Sequence, residues 1–178
     1  MASATVRLFS RRLGLAIAEE LLSLGAAKVL LSARGAEDLE AARSHIAKWL
    51  ARERRSGEVF AFTADVSVAE GRSALVNHAS ELFGGALDVL VNNVGTNVRR
   101  RIADVEAYEY HAMVAANMDS CFFMCQLCQP LLSKSHVGAS VVNVSSLAGI
   151  RSTGTGVPYA MSKAAMVHGS GPLPPPYP

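Results

Sequence analysis

Short runs of uninterrupted apolar residues alternate along this chain with longer stretches whose apolar residues recur every three or four positions, and that alternation admits few architectures. Lys28 to Ser32, Glu58 to Thr63, Leu87 to Asn92 and Ala139 to Val144 read as strands, with a weaker one at Ala4 to Leu8. Between them, Leu13 to Leu24, Ala36 to Arg54 and Val68 to Phe83 read as helices, the first ended by Gly25 and the third by Gly84-Gly85. Ala103 to Leu132 holds one or two more, and a last helix begins near Pro158. Strands that are apolar on both faces belong in a parallel sheet covered on both sides by crossover helices. The expected fold class is therefore α/β, a doubly wound parallel sheet, which binds its ligands outside the carboxyl ends of the strands.

The 178 residues suffice for one core, which buries roughly 70% of the unfolded chain's surface. The domain is expected over 1–168, followed by a tail, 169–178, whose prolines and glycines cannot continue a helix. That tail reads as an extended end, although its proline spacing also suits an SH3-type ligand. Half the residues are hydrophobic and the net charge is +2, which argues against both a disordered polymer and an extended nucleic-acid surface. Arg99-Arg100-Arg101 lacks interleaved aromatics and reads as a solvated loop end. No apolar run reaches the roughly 20 residues of a membrane span, so no membrane partner is expected. Met1 to Leu15 is arginine-bearing and free of acids, a loose match to an organellar leader; the same residues fit a first strand and turn, and a cytoplasmic location is expected.

Cys121, Cys125 and Cys128 have the C-x3-C-x2-C spacing used to hold an iron-sulfur cluster. Here the intervals put all three thiols on one stripe of an apolar helix, so buried core cysteines are expected, and no metal.

The chemistry concentrates late in the chain. Tyr159 and Lys163 stand four apart on one helical face, so the ammonium can favour the phenolate and make the tyrosine a usable acid or base. Ser146 follows the apolar strand Val141-Val142-Asn143-Val144, where its hydroxyl can hold a substrate oxygen that develops charge. These groups suit carbonyl reduction.

Asp65-Val66 after the third strand, Asn92-Asn93-Val94-Gly95 after the fourth, Ser146, and Tyr159-x-x-x-Lys163 occur in that order, and together they resemble a short-chain dehydrogenase/reductase of the tropinone reductase-like branch. The likeness runs from about Leu13 to His168 and takes in Thr96 to Arg99 and Asn117 to Leu132. It implies a Rossmann-type sheet with strand order 3-2-1-4-5 and a pyridine-nucleotide oxidoreductase interconverting a ketone and a secondary alcohol. By resemblance, Tyr159 donates the proton, Ser146 orients the carbonyl oxygen, and Lys163 holds the nicotinamide ribose and favours the phenolate. Asn117 falls where the family organises a proton-relay water. Asp65 and Val66 match the adenine-contacting pair, Asn93 and Gly95 the loop beside the adenosine ribose, and Ser10, Arg11, Leu13 and Gly14 the phosphate turn. Asp65 also reads as the N-cap of the helix that follows. Arg34 after the second strand, with Arg11 and no acid nearby, favours NADP over NAD, because a 2'-phosphate wants arginine. The partner implied is a small carbonyl or alcohol, and the family's contact between copies would use the helices around Asn117 and Tyr159.

The chain departs from the family at two places. The phosphate turn reads Arg7-Leu8-Phe9-Ser10-Arg11-Arg12-Leu13-Gly14, with Leu8 and Arg12 where the family has glycine. A side chain at a turn position that needs positive φ costs about 1–2 kcal/mol, so weakened cofactor binding is expected. The family's last strands and substrate loop have no counterpart, which leaves the fifth strand as an apolar edge. A non-catalytic fragment acting as an interaction module is the alternative reading.

Overall fold

In this computed structural model, residues 3–7 and 13–169 are described. Five parallel strands form one sheet in the order β3-β2-β1-β4-β5, as expected: β1 (Ser3–Arg7), β2 (Lys28–Ala33), β3 (Glu58–Thr63), β4 (Val89–Asn92) and β5 (Ser140–Asn143). Residues Leu8, Ser10, Arg11 and Arg12 of the phosphate turn and the tail from Ser170 lie outside the described residues.

Strand β2 explains why the sheet is covered twice. Val29, Leu30 and Leu31 are each 0% exposed, although successive side chains point to opposite faces. Val29 and Leu31 join Ala18 and Leu22 of α1 (Leu13–Ser23) and Leu39, Ile46 and Leu50 of α2 (Ala36–Arg52). Leu30 joins Leu75 and Ala79 of α3 (Ala69–Phe83) and Met124 and Leu131 of α5 (Ser120–Leu132) on the other side. Each such aliphatic side chain contributes about 2 kcal/mol relative to exposure, so the run is stable only between two helix layers.

Ala103 to Leu132 divides into α4 (Ala107–Val114) and α5, joined without a break by a π-helical turn over Ala115–Asp119. A capping box opens α4: the Glu106 side chain accepts from the backbone of Glu109, and Glu109 Oε2 accepts from the Glu106 amide at 3.1 Å. The last helix, α6 (Val157–His168), starts after Gly156 with Pro158 in its first turn, where a missing amide proton costs nothing.

Some expectations are corrected. Helix α3 begins after Val68, which stands at its N-cap without a side-chain cap. Asp65 is too far upstream to cap it; its Oδ1 accepts from the Ser67 amide at 2.9 Å and from the Ser67 hydroxyl at 2.7 Å, closing an Asx turn that leads into the helix. The arginine triplet is exposed, yet two of its members are ion-paired: Arg100 Nη2 lies 2.9 Å from Glu109 Oε1, and Arg101 Nε 2.6 Å from Asp104 Oδ2.

The cysteines follow the stripe expected. Cys121 and Cys128 are buried, Cys125 is half-buried, and none is in a disulfide. Cys128 belongs to the core under α3, whereas Cys121 Sγ donates to Asn143 Oδ1 and Cys125 Sγ accepts from Asn92 Nδ2, both at 3.2 Å. No group of three His, Cys, Asp or Glu side chains among the described residues could hold a metal ion, and no helix among them is long and apolar enough to cross a membrane.

Candidate active site

The carboxyl ends of β4 and β5 meet through a pair of amides. Asn92 and Asn143 are in register, and Asn92 Nδ2 donates to Asn143 Oδ1 at 2.8 Å, which fixes where each chain leaves the sheet. After β4, the loop is held by Asn117 from the π-helical turn. The Asn117 side chain is fully buried; its Oδ1 accepts from the Thr96 amide at 2.7 Å and its Nδ2 donates to the Thr96 carbonyl at 2.9 Å. Each half of the amide is thus engaged with backbone, and a π turn is a common way to aim a side chain out of regular helical register.

Lys163 reaches the same place from α6. It is 4% exposed, its Nζ donates to the Val144 carbonyl at 2.8 Å and touches Met166 Sδ at 3.5 Å, and it lies 5.9 Å from the centre of the Tyr159 ring. Gly95 lets these elements close in, because a Cβ there would meet Asn117 Oδ1 and Lys163 Nζ at 3.2 Å each. Gly95, Asn117 and Lys163, well separated in sequence, therefore converge on one spot.

Ser146 is tied to this centre through its neighbours. Val144, two residues before it, takes the Lys163 ammonium, and Ser145 Oγ donates to the Lys163 carbonyl at 2.8 Å. Beyond it, Gly149 packs so closely that a Cβ would lie 2.7 Å from the Lys163 carbonyl group, so only glycine lets this turn seat on α6. Ser146 Oγ accepts from the Ala148 amide at 3.2 Å, which leaves its own proton to donate. Tyr159 is half-buried, and among the described residues its hydroxyl has no hydrogen-bond partner.

A second group of residues lines the other strand ends. Gly14 is buried in the first turn of α1, beside the half-exposed Leu13. Arg34, just past β2, and Asp65, just past β3, form a long ion pair, Nη1 to Oδ2 at 3.9 Å. Val66 is buried, and its carbonyl accepts from Arg72 Nη1 at 3.0 Å; Arg72 is itself buried and stacked over Phe123 with 4.7 Å to the ring centre. Ser32 Oγ and Asn93 Nδ2 are buried without a hydrogen-bond partner, a costly state for polar atoms. Orphaned donors beside β2 and β4, a cation past β2 and a glycine cradle at Gly95 fit a phosphorylated nucleotide laid across the strand ends.

The residues expected at the site lie just past the strand ends, in the first turn of α1, on the π-helical turn or on α6, apart from Ser10 and Arg11, which fall outside the described residues. Reading the sequence missed Thr96, the Val144 carbonyl, Ser145, Arg72 and Met166. Thr96 and Val144 act through main-chain atoms, which leave no residue signature. Ser145 next to Ser146 was the one available cue.

Comparison with known proteins agrees with this geometry. Residues 9–170 match the family model for short chain dehydrogenases. A tropinone reductase homologue of Arabidopsis thaliana is 38% identical over 157 residues, covering 88% of this chain and 56% of the relative. A second, chloroplastic homologue from the same plant is 41% identical over 148 residues, covering 83% of this chain and 43% of its own length. The chain thus spans about half the length of these curated relatives. Among solved structures, a metagenomic short-chain oxidoreductase in complex with NADP superposes with a TM-score of 0.80 at 28% identity, over 94% of this chain and 72% of that one. RhlG of Pseudomonas aeruginosa, in an active-site complex with NADP, gives 0.82 at 32% identity, over 94% and 63%. Fold, ordered motifs and relatives agree: this chain belongs to the short-chain dehydrogenase/reductase family, and it is similar to the tropinone reductase homologues within it.

Proposed function

We propose that this chain carries the reductase half of an NADP-dependent interconversion of a ketone and a secondary alcohol. The observation that supports it best is the Tyr159 hydroxyl, without a hydrogen-bond partner among the described residues, near the buried Lys163 ammonium and close in sequence to a Ser146 hydroxyl that keeps its proton. In this reading the substrate carbonyl oxygen accepts a hydrogen bond from Ser146 and takes its proton from Tyr159. The Lys163 charge then stabilises the phenolate left behind. When bound, the nicotinamide supplies the hydride for the carbonyl carbon. Asn117 acts as a positioning residue: its grip on Thr96 holds the loop that carries Gly95.

The nucleotide would lie across the strand ends, with Asn93 and Gly95 beside a ribose, Asp65 and Val66 beside the adenine, and Arg34 meeting a 2'-phosphate as a charge-assisted partner. Gly14 and Leu13 open the helix whose N-terminus faces the pyrophosphate in such sheets. NADP complexes of two structural relatives support the choice of cofactor.

NADPH fluorescence titration of the chain, followed by ketone reduction assayed on the same sample, tests the proposal. Saturable binding with turnover is expected, and Tyr159→Phe is expected to lower turnover by about 10²-fold or more while binding changes little. No binding at millimolar NADPH would instead leave the non-catalytic interaction module.

A further inference from the structure

Two lips border the place where Tyr159 stands: the stretch from Val94 to Arg101 after β4, and the stretch from Ser145 to Gly156 that links β5 to α6. They are fastened to each other. Asn97 Nδ2 donates to Thr155 Oγ1 at 2.7 Å, and Gly156 seats so tightly on the Val98 carbonyl that a side chain there would overlap it. Gly156 is also the N-cap of α6, three residues before Tyr159, so the lips are held at a fixed place relative to the helix that carries the phenol.

The charge on the lips is of one sign. They contain four arginines, Arg99, Arg100, Arg101 and Arg151, and no acid. Glu109 and Asp104 neutralise Arg100 and Arg101. Arg99, next to Val98, and Arg151, between Ser146 and Tyr159 in the chain, are exposed, and neither has an acidic partner among the described residues. Apolar groups stand bare beside them: Leu147, directly after Ser146, is 51% exposed, and Ile150, directly before Arg151, is 73% exposed.

We propose that the substrate of this cleft is a ketone with an apolar body and a carboxylate, and that Arg99 and Arg151 meet the carboxylate. The inference rests on the carbonyl chemistry proposed above for Tyr159 and adds the class of molecule that brings the carbonyl. A guanidinium offers paired donors in the geometry of a carboxylate, which makes arginine the cation suited to that group. The same two charges disfavour a ketone that carries an amine, so the lips select by repulsion as well as attraction. Leu147 and Ile150 give the apolar body a surface to cover, which a small, fully hydrated keto acid would leave wet.

The test reads binding, so it does not depend on turnover. Dissociation constants of 6-oxoheptanoate and of its neutral twin, 6-oxoheptanamide, are measured by ligand-observed NMR on the full chain with NADP+ present, which cannot reduce either ketone. The carboxylate is expected to bind about tenfold more tightly at low salt, as two solvent-exposed charge pairs allow, and to lose most of that lead at about 0.5 M salt. Arg99→Gln and Arg151→Gln are each expected to cut the ratio to about threefold, and together to about one. Both side chains are exposed, so neither change touches the core. Arg54→Gln removes the same charge between α2 and β3, at the amino end of the sheet, and is expected to leave the ratio alone. Equal affinity of the unaltered chain for the two ketones would overturn the proposal, as would a preference that survives the double variant or disappears in Arg54→Gln. A preference that needs both arginines, in a chain that reduces neither ketone with NADPH, would uphold this inference and overturn only the reaction proposed for Tyr159.

Discussion

Arg34 and Asp65 stand 3.9 Å apart at the ends of adjacent strands, and each bears on the nucleotide. Burial alone would raise the Asp65 carboxyl, but hydrogen bonds from the Ser67 hydroxyl and amide, with the Arg34 charge, outweigh it and hold the carboxyl below the usual aspartate value. An acid depressed in the fold stabilises it above the ordinary value of about 3.9 and loses that contribution as the pH falls through the folded value. Asp65→Asn is therefore expected to make the urea midpoint fall less steeply between pH about 5 and 3; an unchanged slope would show that Asp65 is not linked to folding. Arg34→Ala is expected to weaken NADPH binding by about tenfold, while NADH binding stays within a factor of about two, in paired titrations. Equal losses for both would mean that Arg34 does not meet the 2'-phosphate. At this scale the sequence was legible where function rides on side chains at fixed spacing: Tyr159 and Lys163 could be paired because one helical face carries both. The Val144 carbonyl that holds Lys163, and the Thr96 backbone that holds Asn117, could not be foreseen, because any residue type supplies them.

The elements around the site are braced by a few polar contacts. Glu109 closes the α4 capping box and receives Arg100, and its side chain is only 8% exposed against 46% for the arginine. Removing the guanidinium leaves a nearly buried carboxylate short of a partner, so Arg100→Ala is expected to cost about 1–3 kcal/mol. Arg100→Lys should recover more than half of that in a thermal melt; a melt unchanged by Arg100→Ala would reduce the pair to a surface contact. Helix and strand positions were readable from periodicity, and the bounds moved by only a few residues. Asp65 was misjudged as a cap because the pattern of an acid before a helix is shared by Asx turns, and only the coordinates fix the distance to the first helical amides. The π turn at Asn117 was likewise hidden, since Ala115 to Asp119 carries no breaker residue to mark it.

Across the whole molecule, the described sheet has two edge strands, β3 and β5. Strand β5 pairs only with β4 among the described residues, and Val141 and Val142 are 43% and 45% exposed. An apolar strand edge invites pairing between copies, and a lysine on it discourages that. Val142→Lys is expected to lower concentration-dependent light scattering on warming without shifting the melting midpoint by more than about 1 kcal/mol equivalent, and unchanged scattering would locate the self-association elsewhere.

Strand β1 sits at the middle of the sheet, and it alone bridges two halves that otherwise share no ladder: Thr5 is opposite Leu30 on one side and Leu90 on the other. The sheet is therefore joined into one only when β1 pairs with β4, more than 80 residues downstream in the chain. Half of the hydrogen bonds that β1 can make wait on a partner far downstream. Such non-local pairing is slow to form, and a β1 still lacking β4 would present a free edge to any other strand, so the β1–β4 ladder is the pairing on which correct assembly of this sheet turns.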